Sequence, residues 1–96
     1  MNILANITTE LQRMKPFLSE KYFVNRIGLF GSVTRNDFTE FSDIDIIVDF
    51  NRPVGIEFID LANYLEKQFN RKIDLLSRKG IKDSYFKEIE KEIVYI

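Results

Sequence analysis

The sequence contains no cysteine and no histidine. Without cysteine there is no disulfide framework and no thiolate metal site, and nothing argues for secretion. Without histidine, zinc sites of the ordinary kind and imidazole-based acid–base catalysis are excluded as well. Any metal must be held by oxygen, which points to magnesium, manganese or calcium. An excess of charge of one sign is also missing: 14 Lys and Arg against 15 Asp and Glu leave a formal charge of -1. A protein that grips a nucleic-acid chain normally carries a basic excess or stripe, so no direct nucleic-acid binding is expected. No apolar run approaches the roughly 20 residues of a membrane span, and the N-terminus lacks a signal-peptide pattern. The expected setting is the cytoplasm, with no membrane partner.

What is present concentrates between Gly28 and Phe50, GLFGSVTRNDFTEFSDIDIIVDF. A Gly-Ser pair follows one apolar run, and an Asp-Ile-Asp triplet opens the next. Successive side chains on a strand point to opposite faces, so Asp43 and Asp45 share one face and Ile44 and Ile46 the other. Carboxylates about 6–7 Å apart along a strand are placed to grip hard cations between them. Asp is disfavoured inside strands, and two like charges on adjacent same-face positions repel unless a cation neutralises them. Gly31 lets the backbone approach an anion, and Ser32 offers it a hydroxyl. Phosphate beside a doubly ligated metal is the chemistry this stretch suggests.

The rest of the chain supplies a frame. Leu4, Ile7, Leu11, Met14 and Leu18 recur at helical spacing, and Pro16 is expected to end that helix or start a separate turn. Tyr22 to Phe30 reads as a first strand. A helical turn after Gly31-Ser32 is expected to lead into a loop through Asn36, Asp37 and Thr39. Asp43 to Phe50 reads as the second strand, and Asn51 to Gly55 as a turn. Phe58, Leu61, Ala62, Leu65 and Phe69 mark an amphipathic helix. Arg71 to Leu76 is a third strand, and Ile81, Tyr85, Ile89 and Ile93 a C-terminal helix. The 96 residues suffice for one small domain, so residues 1–96 are expected to fold as one unit.

Three further positions bear on chemistry. Asp74 stands alone among apolar neighbours, which means either a carboxylate tied by hydrogen bonds or one facing a site. Arg35, three residues past Ser32, reaches a phosphate if the turn is helical, although a surface arginine is the commoner case. Asp49 has the parity of Asp45 but lies about 13 Å further along the strand, and reads as a solvated strand end. Apart from these, Arg78, Lys79 and Lys82 form a basic cluster that reads as a solvated face, with a contact to nucleotide or partner as the alternative.

Taken together, Phe30-Gly31-Ser32, Asp43-Ile44-Asp45-Ile46 and Ile73-Asp74-Leu75 resemble the pattern of the DNA polymerase β-like nucleotidyltransferase superfamily. Gly31, Ser32, Arg35, Ser42, Asp43 and Asp45 match the Gly-Ser-x-x-Arg and Ser-Asp-x-Asp motifs of its minimal nucleotidyltransferase (MNT) family. Asn36 departs from the Gly that many members carry there, but Asn tolerates left-handed backbone. The resemblance implies an α/β (α+β) fold, a small mixed sheet of about three strands flanked by helices. It implies two magnesium ions held by Asp43, Asp45 and Asp74, ATP as substrate, and phosphates positioned by Gly31, Ser32 and Arg35. MNT proteins are typically paired with a HEPN-type toxin, so a hetero-oligomer is expected. The implied activity is transfer of AMP from ATP to a tyrosine of that toxin, acting as antitoxin. Two alternatives stay open: neutralisation of the partner by occlusion, and adenylylation of a small hydroxylated molecule.

Overall fold

The computed structural model describes residues 3–96; residues 1 and 2 of the expected domain lie outside the described residues. The elements run α1 (Ile3–Tyr22), β1 (Val24–Phe30), α2 (Ser32–Arg35), β2 (Ile44–Phe50), α3 (Ile56–Phe69), β3 (Ile73–Ser77), α4 (Asp83–Ile89) and β4 (Val94–Tyr95). Short 3-10 turns at Arg78–Gly80 and Glu90–Glu92 flank α4. The strands form one mixed sheet in the order β3-β2-β1-β4. β1 is antiparallel to β2 and to β4, and β2 is parallel to β3.

Strand alternation divides the side chains between two faces. Ile27 and Leu29 of β1, Ile44, Ile46 and Val48 of β2, and Ile73 and Leu75 of β3 join the main core with α1 and α3. The opposite face carries Phe30 and Ile47, packed with Leu76, Ile81, Phe86, Ile89 and Ile93 as a second, smaller cluster. A bulge in β1 sets Val24 opposite Phe50 and Arg26 opposite Asp49, which returns Val24 to the main core. The two helices that supply bulk thus lie on one face, and the short α4 covers only part of the other. The carboxylates project at the end of that second face.

Three expectations are corrected. Pro16 does not end α1, which continues through it to Tyr22. Pro16 is solvent-exposed while Leu18 and Tyr22 are buried, so the apolar stripe holds the helix together past the missing N–H. The first strand begins at Val24, because Tyr22 still packs as helix and Phe23 turns the chain at φ 62. The C-terminal four-residue period does not run as one helix: α4 stops at Ile89, Glu90–Glu92 tighten into a 3-10 turn, and Val94–Tyr95 add a fourth strand beside β1. Gly28 admits that strand, since a Cβ there would stand 2.8 Å from Ile93 Cγ2. Lys15 Nζ donates to the Ile96 carbonyl at 2.8 Å and secures the end of the chain to α1.

An interior proline costs a helix about 3 kcal/mol relative to alanine in a rigid host, less on an exposed face that can bend. Pro16→Ala is therefore expected to raise the melting temperature by roughly 4–8 °C, the shift about 1 kcal/mol produces in a domain of this size. Calorimetry checks this. An unchanged or lower midpoint would mean that the stiffening of the unfolded chain by proline outweighs the helix defect.

Candidate active site

The site is built on three adjacent strands. Phe30, Asp45 and Asp74 are register partners across β1, β2 and β3. Asp45 and Asp74 are thus in register on neighbouring parallel strands, where like charges repel. Asp43 stands one residue before β2 begins, on the same side of the chain by alternation. Ile44 N–H donates to the Lys72 carbonyl at 3.0 Å, joining the entry of β2 to that of β3.

The crowding has an electrostatic consequence. Asp45 is pushed up from the ordinary carboxylate value of 3.8 to about 6, first by burial and then by the negative charges of Asp74 and Asp43. Arg35 opposes the rise. Among the described residues no group of three or more carboxylates is placed so that it could hold a metal ion. The donors are nevertheless all hard oxygens, and the mutual repulsion is the imbalance a divalent cation would relieve. In donor chemistry, though not in the spacing of a three-carboxylate site, these residues suit a hard divalent cation such as magnesium.

Beside the carboxylates, β1 ends in the turn at Gly31, at φ 76, and a Cβ there would collide with the Asp45 carboxylate. Only glycine serves at this position. The Gly31 carbonyl accepts from Thr34 and Arg35 N–H at 3.0 and 3.1 Å, forming the single helical turn expected after Gly31-Ser32. Asn36 closes that turn in the left-handed conformation, at φ 67, so the asparagine replaces the glycine without loss of the turn. Ser32 is half-buried at the start of α2. Arg35 Nη1 pairs with Glu92 Oε1 at 3.2 Å, and its Nε lies 3.7 Å from Asp37 Oδ2. The same Glu92 oxygen accepts the Gly31 N–H at 3.0 Å.

The loop that delivers Asp43 is organised from outside. Thr39 N–H donates to Ser42 Oγ at 3.0 Å, and Ser42 N–H to the Thr39 carbonyl at 3.1 Å. Arg71 Nη1 donates to the carbonyls of Glu40 and Ser42 at 3.0 and 3.3 Å, and its guanidinium lies 4.8 Å from the Phe38 ring centre. Phe41, at the tip of this loop, is 88% exposed.

The structure brings Asp43, Asp45, Asp74, Gly31, Ser32 and Arg35 to one end of the sheet. It leaves Asp49 and Arg78 elsewhere: with Arg26, Phe86, Glu90 and Tyr95 they line a cavity of about 380 Å³ that includes none of the three carboxylates. Arg78 pairs with Asp83 at 3.1 Å and stacks on Phe86. Neither Glu92 nor Arg71 was read from the sequence as part of the site: Glu92 opens the C-terminal Glu-Ile-Val-Tyr-Ile ending, and Arg71 reads as the first residue of the third strand.

The chain belongs to the nucleotidyltransferase domain family, whose model matches residues 11–96. Within it the chain stands with the minimal nucleotidyltransferases. It is 41% identical over 98 residues to a Methanocaldococcus jannaschii protein provisionally named a protein adenylyltransferase, covering 100% of both chains. It is 37% identical over 97 residues to the protein adenylyltransferase MntA of Thermococcus cleftensis, covering 100% of this chain and 98% of that one. A solved structure described provisionally as a minimal nucleotidyltransferase has the same fold, with a TM-score of 0.82 at 22% identity over 95% of this chain and 93% of that one. The MNT antitoxin in complex with a tri-AMPylated HEPN toxin of Shewanella oneidensis also shares it, with a TM-score of 0.68 at 19% identity over 92% of this chain and 69% of that one.

The raised Asp45 value makes a stability prediction for the metal-free protein. A carboxylate that holds its proton more tightly when folded stabilises the fold at low pH. That contribution is lost as pH rises from 3.8 through about 6. Asp45→Asn, which mimics the protonated form, should therefore melt higher than the wild type at pH 8 in the presence of a chelator, with the difference vanishing toward pH 4. A difference that stays constant across this range would show that Asp45 is not under charge strain.

Proposed function

We propose that the chain transfers AMP from ATP, with magnesium, to a tyrosine hydroxyl of a HEPN-type partner, and so acts as an antitoxin. The observation that carries the reading is the in-register Asp45–Asp74 pair with Asp43 beside it, next to the Gly31-Ser32 turn. The names borne by the relatives, and the description of the Shewanella complex, support the choice of AMP and of a HEPN acceptor.

In this reading Asp43, Asp45 and Asp74 would hold two magnesium ions, which would supply charge neutralisation of the triphosphate. Gly31 and Ser32 position the phosphates, the glycine by allowing close approach and the serine by its hydroxyl. Arg35 adds positive charge beside that turn. The tyrosine oxygen bonds to the α-phosphorus as the bond to the α–β bridging oxygen breaks. Pyrophosphate leaves with that electron pair, and the phenolic proton passes to a carboxylate. Asp74 is the exposed member of the trio and the natural acceptor. The HEPN-type partner would present the acceptor tyrosine to the site within a hetero-oligomer. A cytoplasmic setting is part of this reading; no helix among the described residues is long and apolar enough to cross a membrane.

Intact-mass spectrometry of a co-expressed HEPN-type partner tests the proposal. Increments of one or more AMP units, mapped to tyrosine, are expected with the wild type and not with Asp43→Asn/Asp45→Asn. A partner that is bound and silenced but unmodified by both forms would make the chain an occluding antitoxin. Label from ATP recovered only on a small hydroxylated molecule would move the activity to that class.

A further inference from the structure

The loop before β2 carries two phenylalanines that the fold treats in opposite ways. Phe38 packs against the main core. Phe41 stands 88% exposed at the tip of the loop. A large apolar ring left in water forgoes the stabilisation that burial gives. Single exposed apolar residues are common on any protein surface, so exposure alone assigns nothing. This ring is set apart by the stiffness of its support and by its place.

The support is a closed set of hydrogen bonds. Thr39 N–H donates to Ser42 Oγ at 3.0 Å, Ser42 N–H to the Thr39 carbonyl at 3.1 Å, and Phe41 N–H to Thr39 Oγ1 at 3.2 Å. Arg71 Nη1 reaches in from the approach to β3 and donates to the carbonyls of Thr39, Glu40 and Ser42 at 3.4, 3.0 and 3.3 Å. The tip is held from within and from outside, so its ring is presented without the ordering cost that a free loop carries on binding. Its place follows from the chain. Phe41 lies two positions before Asp43, a Cα span of about 7 Å at most.

We infer that Phe41 is a specificity-determining residue for the acceptor: it inserts into an apolar pocket on the protein that presents the tyrosine, close beside that tyrosine. The inference rests on the nucleotide-transfer reading of the site. Shape selects the occupant. A small ligand is held in a concave site that buries most of its surface. A ring protruding from a loop tip offers no such site to a nucleobase or to a small hydroxylated acceptor. A protein surface brings its own pocket, and aromatic side chains seated in pockets carry much of the energy of an interface. Phe41 takes no part in the chemistry; it selects the protein whose hydroxyl reaches the carboxylates.

The test compares the wild type with Phe41→Ala and Phe41→Leu, using a purified HEPN-type partner as acceptor. In steady-state transfer from ATP, Phe41→Ala should lower kcat/KM for the partner about 30-fold, the loss expected when an interface anchor is truncated. Phe41→Leu keeps apolar bulk and should recover most of it. The KM for ATP and the melting temperature should match the wild type, because so exposed a ring contacts little of its own chain. An unchanged kcat/KM for the partner would overturn the inference. So would a rise in the KM for ATP, which would place the ring on the nucleotide, or a fall in kcat alone, which would make it a support for Asp43. If the wild type transfers nothing, the proposed function fails, and equilibrium binding of the same partner without ATP still decides the role of Phe41. Phe41→Ala should then bind about 30-fold more weakly. Equal affinity, or no binding by the wild type, would overturn the inference.

Discussion

Repulsion among carboxylates is the constraint on which the rest of the structure turns. Parallel pairing of β2 with β3 sets Asp45 against Asp74, and the loop before β2 adds Asp43. Folded proteins are generally only marginally stable, by about 5–15 kcal/mol, so such a concentration of like charge calls for a rigid support. The support is the other face of the same strands, where Ile44, Ile46, Val48, Ile73 and Leu75 are buried against α1 and α3. Each strand therefore serves two ends: alternate residues hold the sheet together, and the residues between them carry the site.

Everything around the carboxylates limits how they can move. Gly31 is required because Asp45 fills the space a side chain would take. Arg71 gathers the backbone carbonyls before Asp43, and the Lys72 carbonyl fixes the entry of β2. Glu92 reaches from the C-terminal turn to the Gly31 N–H. Parts of the chain far apart in sequence converge at one end of the sheet, which places the candidate site residues on strands and short turns rather than on long loops.

Much of this was legible in the sequence, for physical reasons that can be stated residue by residue. The alternation around Asp43 and Asp45, and the single Asp in Ile73-Asp74-Leu75, announced carboxylates on strand faces because period-two burial leaves few explanations for them. The helix face of Leu4, Ile7, Leu11, Met14 and Leu18 was readable from its spacing. Pro16 misled because a local rule met an exposed position that packing elsewhere could override. The C-terminal strand was hidden because Ile89 and Ile93 keep a helical interval while the backbone between them tightens into a 3-10 turn. Contacts such as Glu92 to Gly31 and Arg71 to the Asp43 loop join residues remote in sequence, and no local pattern records them.

The most direct test of the account is the titration of the Asp45 carboxyl carbon by NMR, with and without magnesium. In the metal-free protein it should titrate near pH 6, displaced by burial and by Asp74 and Asp43. Added magnesium should bring the midpoint back below the ordinary value of 3.8, because a bound cation favours the charged form. An ordinary midpoint in the absence of metal, unmoved by magnesium, would contradict both the crowding of the carboxylates and their role in holding the ions.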